Sequence, residues 1–553
     1  MSDSITSIES ESREEVTINI SNTQYDIVSE VAEELGWGIS DDEEDTECDV
    51  YWQDGALSSE ALSAFKPYQR VNHFPGMYAI SRKDHLAKNL KAMKSMFPEK
   101  FGFFPATWCL PRDYNDLKSQ FNKKRAKTFI VKPEASCQGR GIFLTRKLEQ
   151  IPERCVVQRY MHKPFLIDGL KFDLRLYVLI SCCDPLRIHL HEEGLVRLAT
   201  EKYQSPFKSN LKDMCMHLTN YAINKANPNF EFNSEKDQNY VGHKRSLSVF
   251  WKRLEKEGVD TKLVLNRISD LIVKTICTAQ PLISHLYRVS QASEPTSAIC
   301  FQILGFDIFL DEDLNPYLLE VNHTPSFTAD TPLDQDIKHK VIYDTLRMLG
   351  ISEKNRANFY NNFQQHIFNR ATKGLKEIRR IRMREKEVYL KKREEIELSN
   401  CGGYRLIYPV GDTREYEDFM LSAKDIWLTN ISPKPLSLTK KQESEKKQET
   451  ERKQETERKQ GFEKKQETIS KNPQNLRIKR NHQIIHKKEL TKPQGPSFLE
   501  SRRSHTMFFK FRKENSASKT GKLPYIKRAS SGSYLKPKIF SFSPAIFFKK
   551  EAE

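Results

Sequence analysis

Residues 171–181 read KFDLRLYVLIS. Apolar residues recur at every second position, which predicts a half-buried strand. Lys171, Asp173 and Arg175 occupy the intervening positions and therefore share one face of that strand. That face is either a surface that contacts a nucleotide and its phosphates or a solvent-exposed ladder of salt bridges. The segment alone favours neither interpretation.

Apolar runs on both sides of this segment predict the remaining elements. Short runs with strand patterning predict strands at residues 128–131, 155–157, 187–193, 301–310 and 316–321. Helical spacing of apolar residues predicts helices at residues 82–96, 246–256 and 263–278. Strands and helices mixed in this order favour an α/β or α+β fold.

Charge and composition divide the 553 residues, of formal net charge +16, into four regions. We expect residues 1–50 to be acidic and largely disordered, apart from an apolar segment at 16–20 that fits a strand. Residues 51–350 have the apolar content of a globular core, and residues 351–410 predict a cationic helical segment. Residues 411–553 combine a low-complexity charged repeat with a basic tail that we expect to be disordered.

Composition also disfavours several classes of protein. The ten cysteines include no Cys-x-x-Cys pair, so we expect a reduced intracellular protein without a thiolate metal site. No apolar run approaches the roughly 20 residues of a membrane span, and we expect no signal peptide. The basic excess indicates a polyanionic partner, which composition leaves open as nucleic acid, membrane or an acidic protein surface.

A lysine ends the first of these predicted strands and leads into a glycine-bearing loop. The sequence reads FIVKP at 129–133 and QGRGI at 138–142. Glycines let backbone N–H groups approach phosphates, and Lys132 would add a point charge. The pattern lacks the Gly-Lys-Ser/Thr of a Walker loop, and taken alone it fits an ordinary turn with a surface lysine better.

Two carboxylates and an amide fall on the last two predicted strands. Asp307 lies in one strand, and Glu320 and Asn322 lie at the end of the next, amid apolar neighbours. Buried carboxylates are costly unless they are paired or bound to metal. Oxygen ligands of this kind suit Mg²⁺ held against ATP phosphates. A buried acid neutralised by Lys or Arg is an equally good interpretation.

In this order, the strand lysine, glycine loop, charged strand and acidic pair resemble the ATP-grasp ligases. Finer motifs resemble the tubulin tyrosine ligase-like family and, within it, the tubulin polyglutamylases. The matching motifs are NHFPG at 72–76, TWCLP at 107–111, QGRGI at 138–142, KFDLR at 171–175, HLTNYAINK at 217–225 and EVNH at 320–323. The resemblance covers residues 65–350 closely and extends more loosely to residue 409.

The resemblance implies an ATP-grasp core with ATP and Mg²⁺ as cofactors, and it assigns roles to particular residues. ATP would be bound by Lys132, Gln138, Gly139, Gln158, Arg159, Tyr160, Met161, Lys171, Phe172, Asp173, Thr219 and Asn220. Mg²⁺ would be held by Asp307, Glu320 and Asn322. The incoming glutamate would be bound by Arg197, Tyr221, Ala222 and Lys244. Arg175 and Glu320 would be catalytic, with Arg175 stabilising the transferring phosphoryl group.

The implied reaction adds glutamate to glutamate residues of tubulin tails. ATP would phosphorylate the acceptor carboxylate to an acyl phosphate, and the amine of free glutamate would displace phosphate. Gln138 and His323 would contact the acceptor protein, and the resemblance at both positions favours chain elongation over initiation. The alternative is that both residues only support the shape of the site.

The basic segment behind the core resembles the microtubule-binding segment of polyglutamylases. Its cations are Arg379, Arg380, Arg382, Arg384, Lys391, Lys392 and Arg393. A solvated charged helix is the alternative interpretation. The resemblance implies a cytoplasmic, cytoskeletal protein of the cilium and basal body, and we expect a monomer.

Two other functions compete with polyglutamylation. A glycine or tyrosine ligase of the same family would need a different amino-acid pocket, and Arg197 with Lys244 favours an acidic amino acid. A non-catalytic protein that binds microtubules or nucleic acid would not need an intact Lys132, Asp307 or Glu320. The few aromatic residues in the basic tail do not favour nucleic-acid binding.

Overall fold

The computed structural model describes residues 15–122, 127–133, 139–233, 242–292, 294 and 296–431. The strands of these residues are β1 (Thr17–Asn22), β2 (Gly38–Ser40), β3 (Val50–Gln53), β4 (Arg70–Val71), β5 (Thr107–Cys109), β6 (Phe129–Pro133), β7 (Phe143–Thr145), β8 (Cys155–Arg159), β9 (Leu166–Ile167), β10 (Leu170–Cys183), β11 (Leu186–Lys202), β12 (Lys244–Ser246), β13 (Gln302–Leu310), β14 (Pro316–Asn322) and β15 (Tyr404–Tyr408).

The helices alternate with these strands along the chain. They are α1 (Ile27–Glu34), α2 (Ser59–Ser63), α3 (Tyr78–Ser81), α4 (Lys83–Met96), α5 (Tyr114–Phe121), α6 (Met214–His217), α7 (Tyr221–Asn224), α8 (Leu247–Lys256), α9 (Thr261–Cys277), α10 (Gln280–Ser290), α11 (Pro332–Met348), α12 (Glu353–Thr372), α13 (Leu375–Ser399) and α14 (Arg414–Ile431), with a 3₁₀ turn at Leu148–Gln150. The mixed α/β architecture confirms the predicted fold class, and every strand and helix predicted from residue 82 to residue 321 is present.

The central sheet is antiparallel, with strand order β12-β11-β10-β13-β14. β9 extends it beside β10, and β15 pairs with β11. The strand predicted at residues 171–181 is part of β10. Its apolar side chains Phe172, Leu174 and Leu176 lie in the main hydrophobic core. Helices α8, α9 and α10 contribute buried residues to the same core and so cover that face. The charged positions of β10 therefore share the opposite face.

Two smaller sheets flank this arrangement. The first has order β5-β8-β6-β7 and carries its own apolar core, including Trp108, Phe129 and Val157. The second has order β2-β1-β3-β4 with parallel pairing. Its β1 confirms the strand predicted at residues 16–20.

The expectation of disorder was wrong for residues 15–50. These residues form β1, α1, β2 and the start of β3, and Ile18, Val28 and Val31 are fully buried. Their core also contains apolar residues of α11, such as Val341. An acidic segment with few apolar residues folds here because distant elements complete its core.

The boundary expected near residue 410 was also wrong. β15 adds to the central sheet, and α14 places Phe419 against Phe97 and Phe101 at ring-centroid distances of 4.9 and 5.1 Å. The folded region therefore continues to residue 431. The repeat at 441–468 and the basic tail lie outside the described residues. None of the described helices is long and apolar enough to cross a membrane.

Helices α12 and α13 follow each other and are held at opposite ends. Near the start of α12, Arg356 forms an ion pair of 3.0 Å with Asp49. Near the end of α13, Glu397 accepts a hydrogen bond of 2.6 Å from Arg187 on β11 and one of 2.9 Å from Ser181 on β10. Helix α13 lies within the segment for which a cationic helix was predicted; Arg393 lies 3.9 Å from Glu397, and Arg379, Arg380 and Lys391 are exposed.

Candidate active site

The polar face of the central sheet carries a set of charged side chains in direct register. Asp173 on β10 is the cross-strand partner of Arg197 on β11. Arg175 is the partner of Asp307 on β13, and Asp307 is the partner of Glu320 on β14. Cross-strand partners lie on one face about 5 Å apart. The register therefore brings together residues that are up to 147 positions apart in the chain.

Ion pairs join these side chains into one network. Arg175 Nε lies 2.6 Å from Asp307 Oδ1, and Arg197 Nη2 lies 2.8 Å from Asp307 Oδ2. Arg197 also donates two hydrogen bonds of 2.6 and 2.8 Å to Asp173. Burial would raise the pKa of Asp307, but Arg175 and Arg197 outweigh burial and hold that pKa well below its usual range. The Asp173, Arg197 and Asp307 side chains are at most 10 % exposed, so the solvent-exposed ladder is excluded.

Lys171 is buried among uncharged partners at the end of the same face. Its Nζ donates to the backbone oxygen of His217 at 2.8 Å and to the hydroxyl of Tyr160 at 3.2 Å. Burial lowers the pKa of Lys171 to about 7, and Asp173 acts in the opposite direction. A lysine held without a direct carboxylate partner retains its attraction for an added anion. Thr219 adds a hydrogen bond to Asp173.

Lys132 reaches the site from the β5-β8-β6-β7 sheet. Its Nζ donates to Gln158 Oε1 at 3.0 Å, and Gln158 donates to Thr107 Oγ1 at 3.0 Å. Burial lowers the pKa of Lys132, and Glu320 acts against this shift. The interpretation as a turn with a surface lysine was therefore wrong, because Lys132 is buried.

The glycine loop lies close to the segment that precedes α7. Gly139 has φ +78°, and a Cβ there would lie 2.6 Å from Ile223 Cδ1 and 3.3 Å from Asn220 Cγ. Only a glycine fits this approach without displacement. Gln138, the other predicted residue of the loop, lies outside the described residues.

Two of the residues predicted to bind ATP turn their side chains toward apolar neighbours. Phe172 points into the hydrophobic core on the opposite face of β10. The guanidinium of Arg159 lies over the ring of Phe129 at 5.8 Å, while Tyr160 turns toward Lys171. Met161 is half-buried. Successive side chains of a strand point to opposite faces, so neighbours within one motif can lie on different sides of the sheet. Phe172 and Arg159 would therefore contact ATP through their backbones.

The predicted metal ligands lie on neighbouring strands. Asp307 is the partner of Glu320, and Asn322 is the partner of Gly305 in the adjacent row. Asn322 uses its amide nitrogen, not its oxygen, to reach the Gly305 carbonyl at 3.5 Å. Both oxygens of Asp307 already accept from arginines but keep further lone pairs. Two carboxylates and an amide fit Mg²⁺ chemically, although no group of three His, Cys, Asp or Glu side chains at metal-binding spacing occurs among the described residues.

A second charged group lies where β12 meets α11. Lys244, the cross-strand partner of Arg197, approaches Asp334 Oδ2 at 2.5 Å. Its Nζ lies 3.6 Å from the centre of the Tyr221 ring. Lys338 lies 3.4 Å from the other oxygen of Asp334. The predicted neighbours Tyr221 and Lys244 are thus brought together, while the side chain of Ala222 is exposed.

Sequence reasoning missed Asp334, Lys338 and Lys83. Lys83 approaches Glu320 at 3.9 Å. The order Thr331-Pro332-Leu333-Asp334 is a helix-start pattern, and Thr331 does accept a hydrogen bond from the Asp334 backbone. That pattern predicts a helix terminus but not that its carboxylate is buried beside two lysines.

His323 lies at the edge of this region. Its backbone oxygen accepts a hydrogen bond of 2.9 Å from Gln302, and its ring lies 6.2 Å from the ring of His73. Burial lowers the pKa of His323, so the imidazole is neutral at physiological pH.

Formal positive charge exceeds formal negative charge among the described side chains of the site. Its cations are Lys132, Lys171, Arg175, Arg197, Lys244 and Lys338. Its anions are Asp173, Asp307, Glu320 and Asp334. Buried excess charge is costly without a counter-ion. The arrangement is therefore suited to an anionic ligand with several negative groups.

A cavity lies outside this site. It has a volume of about 420 Å³ and is lined by residues of α4, α10 and α14, among them Met93, Leu282 and Trp427. None of the predicted site residues lines it. A much narrower cavity is lined by Lys83, Lys132, Gln158 and Glu320. The candidate site is therefore identified by its charged side chains and not by the volume of a cavity.

Comparison with known proteins agrees with this geometry. The model of the tubulin-tyrosine ligase family matches residues 61–358. The chain belongs to the tubulin-tyrosine ligase family. That span contains every described residue of the predicted site, and it confirms the resemblance stated above.

Several curated relatives of this ligase family carry polyglutamylase names. A probable beta-tubulin polyglutamylase of Tetrahymena thermophila is 47% identical over 410 residues, which are 73% of this chain and 34% of that protein. Tubulin polyglutamylase TTLL6 of Mus musculus is 40% identical over 438 residues, 78% of this chain and 52% of the relative. Tubulin polyglutamylase TTLL13 of Mus musculus is 40% identical over 440 residues, 78% and 54% respectively. The chain spans a third to about half the length of these relatives.

Proposed function

We propose that the protein is an ATP-dependent carboxylate–amine ligase with an ATP-grasp core that adds glutamate to glutamate side chains of tubulin tails. The observation that carries this proposal is the excess of buried cations on the polar face of the central sheet. Such a surface fits ATP, a second acidic substrate and an acidic acceptor. The polyglutamylase names of the relatives support the choice of substrate.

ATP is positioned by two lysines from two sheets. Lys132 and Lys171 attract the phosphates, and the backbone of Gly139 allows close approach of the loop. Gln158 and Tyr160 hold these lysines in place, so little side-chain reorganisation is needed when ATP binds. The base would be bound by those backbone groups of residues 158–161 that are not already bonded within the protein, as the amides of Arg159 and Tyr160 are.

Asp307, Glu320 and Asn322 would hold Mg²⁺, which when bound neutralises charge that develops on the phosphoryl oxygens. Arg175 is held by two hydrogen bonds to Asp307, of 2.6 and 3.2 Å. We assign Arg175 the stabilisation of the transferring phosphoryl group, because its guanidinium is always charged and already oriented.

The incoming glutamate is bound beside this phosphoryl site. Arg197 and Lys244 are cross-strand partners, and Tyr221 packs on the Lys244 ammonium. The two cations match carboxylates, so the free amine is left to attack the acyl phosphate and displace phosphate. Glycine lacks a side-chain carboxylate and would make one charged contact fewer with these two cations, which disfavours the glycine-ligase alternative.

The acceptor and the cellular setting complete the proposal. His323, with Gln138, contacts the acceptor chain and favours elongation. The exposed cations of α13, including Arg379, Arg380 and Lys391, bind the acidic surface of the microtubule. The protein acts as a monomer on cytoplasmic microtubules, including those of the cilium and basal body.

The decisive test is ATP-dependent incorporation of a labelled amino acid into microtubules. Glutamate, glycine and tyrosine are supplied separately, with Glu320→Gln as the matched inactive variant. We expect incorporation of glutamate alone, and none by the variant. Incorporation of glycine or tyrosine would replace the proposed substrate, and equal incorporation by the variant would contradict the metal assignment.

A further inference from the structure

The cavity of about 420 Å³ between helices α4, α10 and α14 has largely apolar walls. Met93 of α4, Leu110 after β5 and Ala423 of α14 line it and are buried. Leu282 of α10 and Trp427 of α14 also line it and are partly exposed. Pockets that bind small ligands have volumes of about 300–1,000 Å³ and mostly apolar walls. The size and lining of this cavity therefore suit a small organic molecule.

Contacts between helices hold these walls in place. Asn89 of α4 donates a hydrogen bond of 3.0 Å to the backbone oxygen of Ala79 on α3. Helix α14 is anchored by Phe419, which is buried in the main hydrophobic core. The ring of Trp427 packs against that of His285 on α10 at a centroid distance of 4.8 Å. A ligand would therefore enter a cavity that is already formed and would not have to order its walls.

The charged side chains of the cavity leave one cation without a partner. Asp84, Lys88 and Arg112 line the cavity and carry formal charge. Asp84 lies 3.3 Å from Arg82, and Arg112 lies 3.3 Å from Asp113, so both have ion-pair partners. Lys88 makes no ion pair or hydrogen bond with the described residues. A negative group would meet this free ammonium, whereas a cationic ligand would be repelled by Lys88 and Arg112.

We propose that this cavity binds a small amphiphilic anion, with its apolar body against Leu282 and Trp427 and its negative group at Lys88. Apolar walls favour burial of a ring or short chain, and the ammonium selects the sign of the head group. None of the residues assigned to the candidate active site lines the cavity. Binding here is therefore independent of the proposed function and is measured without tubulin or glutamate.

The test uses two fluorescent probes that share one ring system. Anilinonaphthalene sulfonate is an amphiphilic anion, and phenylnaphthylamine lacks the sulfonate and is neutral. Each probe is titrated into the full chain, and the dissociation constants of variants are compared with that of the wild type for the same probe. We expect both probes to bind at one saturable site. Excess ATP with Mg²⁺ should not displace either, because the cationic candidate site is elsewhere.

Two variants separate the two parts of the site. Lys88→Gln should weaken binding of the sulfonate by about threefold to fivefold, the size of a contact between partly exposed charges, and leave the neutral probe unchanged. Trp427→Leu should weaken both probes by about threefold to tenfold, because an aromatic contact is lost. Lys94→Gln, an exposed lysine of α4 that does not line the cavity, should change neither. If Trp427→Leu does not fold, Leu282→Trp, which narrows the cavity, takes its place.

Several results would overturn this assignment. Failure of the wild type to bind either probe excludes a site of this kind. Binding that neither Lys88→Gln nor Trp427→Leu weakens, or that ATP displaces, places the probes elsewhere. Equal weakening of both probes by Lys88→Gln would mean that the cavity does not select an anion, and it would overturn the ligand class.

Discussion

Two charge clusters lie on strands β10 and β11, and they differ in balance. Near the end of α13, Arg187 and Arg393 face the buried Glu397 and the exposed Glu394, so the formal charges of these four side chains cancel. Burial and Arg187 lower the pKa of the adjacent His189 to about 3, which keeps it neutral. In the candidate site the cations outnumber the anions. A cluster whose formal charges cancel can hold elements of the fold together. A cluster with excess buried charge is suited to a ligand of opposite charge.

Removing a carboxylate from the candidate site should give the largest loss of activity. Asp307→Asn removes a proposed metal ligand and the shared anchor of Arg175 and Arg197. We expect glutamate incorporation to fall by about a thousandfold or more, because several kcal/mol of transition-state stabilisation are lost. The rate is measured on microtubules at saturating ATP. A rate within tenfold of wild type would contradict the catalytic role of this charge cluster.

Removing a carboxylate from the cluster near the end of α13 should lower stability and leave activity nearly unchanged. Glu397→Gln leaves Arg187 and Arg393 with one fewer anion, and we expect the free energy of unfolding to fall by about 3–5 kcal/mol. Urea denaturation measures this loss, while kcat well below the melting temperature should stay within about threefold. Glu394→Gln is the control, since that side chain is 57 % exposed and should change stability by less than about 1 kcal/mol.

The exposed cations of α13 differ from both clusters, because water and salt reach them. We expect microtubule affinity to fall on the order of tenfold between low and high salt, since exposed charges are screened. Co-sedimentation at several salt concentrations measures this slope. The double change Arg379→Gln and Arg380→Gln should make the slope shallower, and Lys340→Gln, outside α13, should not. An unchanged affinity across the salt series would remove α13 from the binding surface.

The pH dependence of stability should report the burial of Lys171. The pKa of Lys171 is about 7 in the folded chain and near 10.5 when unfolded. The unfolded state therefore binds more protons between these values, and Lys171 contributes stability that rises with pH from 7 to 10.5, on the order of 1 kcal/mol per pH unit. Lys171→Met should lose this rise. Denaturation at pH 6.5, 8 and 9 measures it, and parallel profiles for variant and wild type would contradict the shift.

Local patterns in the sequence predicted the parts of the site that lie within one strand. The shared face of Lys171, Asp173 and Arg175 follows from the twofold repeat of a strand and needs no other information. The pairing of Asp307 with Glu320 was also accessible, because the two strands are consecutive. Roles assigned by motif were less secure for Phe172, whose parity turns it to the opposite face.

Contacts between distant segments account for what the sequence did not reveal. Trp52 packs against Phe301 and Phe327, so the N-terminal region folds only with partners about 250 residues away. Asp334 is a helix-start residue by pattern, and only the approach of β12 makes it a buried counter-ion for Lys244. Burial at such positions is a tertiary property that no local periodicity encodes.

The attachment of α12 and α13 at opposite ends has a geometric consequence. With Arg356 fixed to Asp49 and Glu397 fixed to Arg187, the cationic surface cannot shift relative to the two sheets unless one of these pairs breaks. Helix α13 has 25 residues and is about 38 Å long. An extended peptide needs about eleven residues to cover that distance. If the microtubule is bound along this helix, the length of each tail, and not its composition alone, determines which glutamates reach the site.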